Sequence, residues 1–200
     1  MQAEFLFDVG SPHAYLAHKR LPEIESRLGI QFEYVPVLLN AIWKATGNRS
    51  PRATFENVPT KLAYEELEIG RYVSKFGIPF RWNPHGMLDT RLLMRVITAA
   101  QLEQTLRPCL DAVMHHLWAE PKKLDDSSAL RAALLESGLD ADRLVARAQE
   151  PDVKAALIER TEAAVERGAF GVPTFFVDGA MYFGKDRLPD IEEAVRLHLR

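Results

Sequence analysis

Cysteine is nearly absent from this 200-residue chain, since Cys109 is the single one. One cysteine cannot form an internal disulfide, so the sequence carries no sign of an oxidising compartment. The chain also lacks an apolar run of the roughly 20 residues that span a bilayer. A strand pattern begins almost at the N-terminus and leaves no room for a secretory leader. We therefore expect a cytoplasmic protein that does not contact a membrane.

An excess of charge of one sign is also missing, because the net charge is −3 and residues of both signs are interspersed. The sequence therefore shows no basic footprint for nucleic acid. It contains no Gly-x-Ser-x-Gly elbow, no Walker loop and no Gly-x-Gly-x-x-Gly turn. What remains is an ordinary globular composition, 47% hydrophobic and 26% charged, in a chain long enough for a domain with a sizeable insertion.

Strand patterns occur only at the two ends of the chain. Near the N-terminus we predict a strand over Ala3–Asp8, a helix over Pro12–Leu28 and a second strand over Gln31–Val37. A strand–helix–strand unit of this length implies a parallel pair with a right-handed crossover.

At the C-terminal end, strands over 173–177 and 180–183 flank Asp178-Gly179, which is a strong hairpin signal. Asp186 is placed to cap a closing helix. That helix carries four apolar residues on one face, Leu188, Ile191, Val195 and Leu199.

The residue pattern in the middle of the chain predicts helices. Residues 38–59 form a loop or broken helix, and five or six helical patterns then follow one another up to Gly168. We therefore predict an α/β protein in the order β-α-β, a helical block, then β-β-α. In this division 1–40 and 169–200 form one domain, and 41–168 form an all-helical insertion.

Ser11 stands at the junction between the first strand and the first helix. It occupies the N-cap position, and Pro12 occupies the first helical position. This places a hydroxyl at the positive end of a helix, just past the carboxyl end of a strand, where open α/β sheets bind ligands. Taken alone, the Ser-Pro pair favours a structural cap, which is the only role of most capping serines.

The order Ser11-Pro12-His13-Ala14 resembles the Cys-Pro-His-Cys signature of the thioredoxin superfamily's periplasmic disulfide oxidoreductases, with both sulfurs removed. Thiol–disulfide exchange needs an attacking thiolate, so this chain cannot perform it here. The sequence instead resembles the branch with Ser-Pro at this point, the kappa-class glutathione transferases and the 2-hydroxychromene-2-carboxylate isomerases. The resemblance covers essentially the whole chain and implies a thioredoxin-like fold with a helical insertion and glutathione as cofactor.

Two further motifs carry this resemblance. Gly171-Val172-Pro173-Thr174 matches the family's cis-proline junction, which implies a cis Pro173 and a main-chain contact from Val172 to the cysteinyl backbone of glutathione. The run from Phe183 to Leu188 resembles the aromatic-Gly-X-Asp-Arg-Leu motif. It implies that Lys185 and Asp186 hold the γ-glutamyl end of glutathione, with Asp186 accepting from its ammonium group.

Two other positions match the family less sharply. Asn48 lies in a Gly-Asn turn that resembles one contacting glutathione, and Lys61 lies in a segment whose lysine approaches the glutathione backbone or carboxylates. The structural alternatives are that Asn48 only forms the turn and that Lys61 is solvated. His13 departs from the family, which usually has an aromatic residue after Ser-Pro. Because His13 and Ser11 lie in one helical turn without needing to face each other, we do not expect His13 to act as a base for Ser11.

The resemblance implies a glutathione-dependent isomerase that converts 2-hydroxychromene-2-carboxylate to trans-o-hydroxybenzylidenepyruvate in aromatic catabolism, acting as a cytoplasmic homodimer. One alternative is a kappa-class-type transferase that conjugates glutathione to electrophiles, and another is a non-catalytic glutathione or peptide binder. A carboxylate on a small aromatic substrate needs a cation near the pocket. The candidates are Lys44, Arg52, Arg81 and Arg91.

Two remaining features suggest no additional chemistry at the sequence level. Cys109 has no nearby resolving cysteine, so we expect it to be a packing residue. His115 and His116 are neighbours on a predicted helix and are expected to point apart, so we predict no metal site there.

Overall fold

The computed structural model describes residues 1–198, so Leu199 of the predicted closing helix lies outside the described residues. Its strands form one four-stranded sheet in the order β2-β1-β3-β4. Their bounds are β1 Ala3–Phe7, β2 Glu33–Pro36, β3 Thr174–Val177 and β4 Ala180–Phe183. Strand β1 runs parallel to β2 and antiparallel to β3, and β3 pairs antiparallel with β4. The predicted parallel pair and the predicted hairpin are both confirmed.

The hairpin shows why two residues suffice between β3 and β4. Asp178 has φ 44° and Gly179 has φ 86°. Two successive residues with positive φ match the twist of the flanking strands, and Asp and Gly tolerate that conformation.

Helices make up most of the rest of the described chain. Their bounds are α1 Pro12–Leu28, α2 Leu39–Thr46, α3 Pro51–Thr54, α4 Pro59–Phe76, α5 Arg91–Leu102, α6 Leu106–Trp118, α7 Ser127–Glu136, α8 Ala141–Arg147, α9 Pro151–Glu166 and α10 Leu188–His198. Residues 38–59 thus contain a broken helix, one of the two forms predicted. None of the described helices is both long and apolar enough to cross a bilayer.

The sheet is covered on both faces, as its period-two pattern requires. Phe5, Phe7 and Phe175 belong to the larger core, together with buried residues of α1, α5, α6 and α10. Leu6 and Phe176 point to the other face and pack with Ala164 of α9 and Ile42 of α2. Helices from the middle of the chain therefore complete the sheet's second face, and the division at 40/41 and 168/169 stays a prediction.

A buried polar network joins the first βαβ unit to α6. His18 contacts the Tyr34 hydroxyl through Nδ1 at 3.1 Å and Asp111 through Nε2 at 2.8 Å. Arg107 donates to the Tyr34 hydroxyl and to both oxygens of Glu25. One donor assignment satisfies every bond, with a neutral His18 that donates through Nε2 and accepts from Tyr34. Burial accordingly lowers the pKa of His18 below its usual value.

Candidate functional site

Ser11 is the buried N-cap of α1. Its backbone is extended, at φ −92° and ψ 117°, and its Oγ accepts from the Ala14 N–H at 3.2 Å. The hydroxyl also donates to the Val172 carbonyl at 3.3 Å, across 161 positions of sequence. Ser11 is 5% exposed. Ser11 therefore is a cap, but one whose hydroxyl faces a second segment that the sequence also selected.

Two side chains hold the loop that precedes Ser11. Trp118 at the end of α6 donates from Nε1 to the Val9 carbonyl at 2.8 Å. Asp8 accepts from the Gly10 N–H at 2.9 Å and, through its other oxygen, from the Leu39 N–H at 2.9 Å and the Thr90 hydroxyl at 3.1 Å. The turn at Ser11 is therefore held by hydrogen bonds from residues of α2 and α6 and from residues that adjoin β1 and α5.

Burial raises the pKa of Asp8 above its ordinary value, and the hydrogen bonds oppose that rise only in part. The adjacent glycine is required by space, because a Cβ on Gly10 would lie 2.7 Å from Cγ2 of Thr90. The loop thus packs too tightly for any side chain at its centre.

The segment opposite Ser11 has the predicted backbone. The Val172–Pro173 peptide bond is cis, as the Val-Pro-Thr motif predicts. Val172 is 6% exposed, and its carbonyl accepts from Ser11. The two predicted glutathione contacts, Ser11 and Val172, are therefore hydrogen-bonded to each other.

Lys185 and Asp186 form an ion pair beside α4. They lie in a short 3-10 turn, Lys185–Arg187, so Asp186 is not the cap of the closing helix that its position suggests. Nζ of Lys185 lies 2.6 Å from Oδ1 of Asp186 and 4.3 Å from the ring centre of Tyr72. The Lys185 side chain is 4% exposed and that of Asp186 is 63% exposed. A buried cation is thus placed against an open carboxylate.

Asn48 and Lys61 lie on the segments that flank this region. Asn48 donates from Nδ2 to the Phe170 carbonyl at 2.9 Å, which ties the α2–α3 turn to the segment leading to Val172. Lys61, in the first turn of α4, lies over the Phe55 ring at 3.7 Å. The structure therefore connects Asn48 to the Val172 segment, and it leaves the Lys61 ammonium group exposed.

His13 pairs with a partner that the sequence did not suggest. Its Nε2 lies 3.1 Å from Oε1 of Glu65 on α4, and this hydrogen bond is the main reason that the pKa of Glu65 is lowered. His13 therefore pairs with Glu65 on α4 rather than with the Ser11 hydroxyl. This agrees with the expectation that His13 is not the base for Ser11. The pair fastens the first turn of α1 to the helix that carries Lys61 and Tyr72.

A group of aromatic side chains adjoins the Val9–Ser11 loop through Trp118. Phe80 stacks on Trp118 at 5.8 Å between ring centres and meets Trp82 edge to face at 5.2 Å. Arg81 lies between them in sequence, and its N–H donates to the Trp118 carbonyl. Because the Trp118 indole donates to the Val9 carbonyl, this aromatic group is connected to the loop that precedes Ser11. The motif matches gave no signal for it.

Arg81 is also distinguished among the four cation candidates. Arg91 is bound by Asp89, whereas Lys44, Arg52 and Arg81 are exposed and have no ion-pair partner among residues 1–198. Of these three, Arg81 lies within the aromatic group next to the Ser11 loop. Its sequence neighbours on both sides, Phe80 and Trp82, belong to this aromatic group.

Two other polar features lie away from Ser11. A cavity of about 170 Å³ at the edge of the sheet is lined by Glu4, Glu33, Gln101, Arg160 and Arg167, among others, and by none of the predicted site residues. The expectation that His115 and His116 point apart is wrong: their ring centres lie 4.9 Å apart. Rotation about the side-chain bonds brings together two rings whose Cβ atoms leave the helix in different directions.

Cys109 is buried, and burial raises the pKa of its thiol to about 12, in keeping with a packing role.

This chain is similar to known proteins along nearly its whole length. The family model described as DSBA-like thioredoxin domain matches residues 2–196. A curated protein named 2-hydroxychromene-2-carboxylate isomerase, from Sphingobium xenophagum, is 30% identical over 94% of this chain and 95% of its own length. Glutathione S-transferase kappa 1 of Homo sapiens is likewise 30% identical, over 92% of this chain and 86% of its own length.

Solved structures agree on the architecture. A structure titled 2-hydroxychromene-2-carboxylate isomerase superposes with a TM-score of 0.87 at 27% identity and covers 100% of this chain and 97% of that one. The cytosolic disulfide reductase DsbM from Pseudomonas aeruginosa, solved with GSH, superposes at 0.65 with 18% identity over 100% of both chains, which shows the fold alone. The predicted thioredoxin-like α/β class is therefore confirmed.

Proposed function

The chain belongs to the DSBA-like thioredoxin domain family, and on that premise we propose that it is a glutathione-dependent isomerase of 2-hydroxychromene-2-carboxylate. The product is trans-o-hydroxybenzylidenepyruvate, and the setting is aromatic catabolism by a cytoplasmic homodimer. Full-length relatives that carry the isomerase name support this choice. The observation that carries it is the buried Ser11 hydroxyl at the N-terminus of α1, opposite the Val172 carbonyl.

Ser11 acts as a hydrogen-bond donor to sulfur rather than as a nucleophile. The Ala14 N–H occupies one lone pair of Oγ, and the hydroxyl proton is free to turn from the Val172 carbonyl to a bound sulfur. A nucleophilic serine needs a base within reach, and the neighbouring His13 is bound to Glu65. The donor set at Ser11 therefore fits an anionic sulfur.

The energies are large enough for this role. A thiol of pKa about 8.5 needs a shift of about two units to be mostly ionised at neutral pH, or roughly 2.7 kcal/mol. A helix N-terminus supplies up to about 2 kcal/mol in a partly buried site. A hydrogen bond to a charged acceptor adds about 1.5–3 kcal/mol. Together they suffice without a metal ion or a general base.

The other predicted residues provide for the rest of glutathione. The γ-glutamyl end is a zwitterion, and the Lys185–Asp186 pair combines an exposed carboxylate with a buried cation next to it. We propose that Asp186 accepts from the ammonium group and that Lys185 attracts the α-carboxylate. Val172 pairs with the cysteinyl backbone beside Pro173, and Asn48 and Lys61 border the remainder.

Bound glutathione would supply a thiolate that adds to the substrate and leaves again once the carbon–carbon bond has rotated. The residues of this chain hold that sulfur ionised through Ser11 and orient the aromatic carboxylate. Phe80 and Trp82 offer an aromatic surface for the substrate ring. This surface substitutes for the aromatic residue that usually follows Ser-Pro in the family, where this chain has His13. Arg81 offers the charge for the carboxylate.

The decisive experiment uses far less glutathione than substrate. An isomerase regenerates its thiol, so complete conversion of 2-hydroxychromene-2-carboxylate is expected, followed by the absorbance of the ring-opened product. A transferase would stop when the glutathione is consumed and leave a stable thioether. A binder would give no product at any glutathione concentration. Either of the last two results would overturn the proposal.

The Arg81 role is tested with a matched pair of exposed arginines. Arg81→Ala should raise KM for the carboxylate substrate by about tenfold, the loss of roughly 1.4 kcal/mol, and leave the glutathione Kd unchanged. Arg91→Ala is the control, because Arg91 is already bound by Asp89. Equal effects from both substitutions would remove Arg81 from the substrate site.

A further inference from the structure

The C-terminal end of α6 brings two histidines and a glutamate together. One ring nitrogen each of His115 and His116 and one carboxylate oxygen of Glu120 all lie within 4.8 Å of one another. We propose that these three side chains bind one divalent transition-metal ion of the zinc class. This inference is independent of the glutathione chemistry proposed for Ser11.

The spacing fits a tetrahedral site. Nε2 of His115 lies 3.5 Å from Oε2 of Glu120. Two ligands about 2.1 Å from a tetrahedral ion stand roughly 3.4 Å apart. That edge of the coordination polyhedron is therefore already formed, and a ring nitrogen of His116 lies within 4.8 Å of a donor atom on each of the two residues that define it.

His116 carries the second, independent observation. It is 2% exposed, and its Nδ1 is buried without a hydrogen-bond partner among residues 1–198. Its Nε2 lies 3.3 Å from Oγ of Ser137, which itself donates to the Ala133 carbonyl. Ser137 therefore accepts from Nε2–H, and this tautomer leaves a lone pair on Nδ1. A histidine whose second ring nitrogen donates to an outer partner is the usual form of a metal ligand.

The donor set and its surroundings select the class of ion. Two imidazoles and one carboxylate suit zinc and its neighbours, whereas calcium and magnesium prefer oxygen donors alone. The nearby Lys122 cation disfavours positive charge at His116, and its ion pair with Glu136 offsets that effect in part. His115 and Glu120 are 45% and 60% exposed, so an ion can enter and water can complete its coordination.

The site stands next to Trp118, the last residue of α6. The indole of Trp118 holds the Val9 carbonyl, and the His115 carbonyl accepts from the N–H groups of Ala119 and Glu120. A bound ion would therefore fasten the turn that ends α6. Because it binds the folded state, it should raise Tm by roughly 5–11 °C at 100 times Kd.

The test is a calorimetric titration of the untagged, metal-free full-length protein with Zn²⁺, without glutathione, which itself binds zinc. His115→Ala and Glu120→Gln alter exposed side chains and are expected to fold. His85→Ala, at another exposed histidine, is the matched control. We expect one Zn²⁺ per chain, with affinity falling by more than about tenfold in each ligand variant and unchanged in the control.

Three results would overturn the site. The protein would bind no Zn²⁺ at micromolar concentrations, both ligand variants would bind as tightly as the parent, or His85→Ala would abolish binding. A Co²⁺ titration adds a second readout, since its visible spectrum reports the coordination geometry. An octahedral spectrum unaffected by Glu120→Gln would likewise contradict the assignment.

Discussion

Replacing Ser11 by alanine tests the central step of the proposed chemistry. The substitution removes the hydroxyl that faces Val172 and leaves the N-terminus of α1 in place. Glutathione should still bind, because the Lys185–Asp186 pair and the Val172 backbone are untouched. The expected change is therefore in the ionisation of the bound thiol and in turnover.

The magnitude follows from the bond that is lost. A hydrogen bond to a charged acceptor contributes about 1.5–3 kcal/mol, so Ser11→Ala should raise the pKa of the bound thiol by about 1–2 units. The remaining helix N-terminus still lowers that pKa below the value of the free thiol. Because a thiol pKa raised from about 6.5 to about 7.5–8.5 leaves less thiolate, turnover at neutral pH should fall by about 3- to 25-fold and recover as the pH rises.

The chain contains its own control. Ser50 also precedes a proline, caps α3 and accepts from the Ala53 N–H at 3.2 Å, the same cap distance as in Ser11. Ser50→Ala should lower stability by about 1 kcal/mol or less, as cap losses do, and leave the thiol pKa unchanged. Ultraviolet titration of the bound thiolate measures both variants. Equal thiol pKa values in the parent, Ser11→Ala and Ser50→Ala would refute the donor role of Ser11.

Two further predictions concern charged groups. Asp186→Ala should raise the glutathione Kd by about tenfold or more, and it should also lower Tm because it leaves the buried Lys185 ammonium unpaired. The double variant Asp186→Ala with Lys185→Met should restore Tm but not the glutathione affinity. Recovery of both Tm and affinity in the double variant would contradict the binding role of Asp186. Because the pKa of His18 is depressed in the folded state, the unfolded chain binds the proton first. Stability should therefore be fully present above about pH 6.5 and fall as the pH drops toward the folded value. Thermal denaturation at a series of pH values measures this fall, and an equal slope in His18→Gln would exclude His18 as its source.

Local signals were enough to predict the elements around Ser11. Proline at the first helical position, a serine cap and a left-handed Gly29 at φ 68° define both ends of α1, and the helix spans Pro12–Leu28 as predicted. Three strands are shorter than predicted, since β1 ends at Phe7 rather than Asp8, β2 spans Glu33–Pro36 rather than Gln31–Val37, and β3 begins at Thr174 rather than at position 173. Each of these features depends on residues within a few positions of one another.

Contacts between distant segments were not predictable in this way. His13 and Glu65 are 52 positions apart, and nothing near either residue in sequence indicates the pair. Lys185 is buried against Tyr72 of α4, and no residue near it in sequence indicates that contact. The aromatic group around Trp118 likewise forms only when α6 packs beside the Val9 loop. Family motifs supplied the Ser11–Val172 pairing, which no local pattern contains.

The two Ser-Pro caps show how much a local motif determines. Ser11 and Ser50 have the same sequence context, the same cap bond and the same position relative to a helix dipole. Only Ser11 is buried, belongs to a helix of 17 residues and lies 3.3 Å from a carbonyl contributed by Val172. A helix of four residues has a weak dipole, and an exposed terminus is screened by water. The capacity to hold a thiolate therefore belongs to the meeting of α1 with the Val172 segment, and transferring the Ser-Pro motif alone to another exposed helix should not confer it.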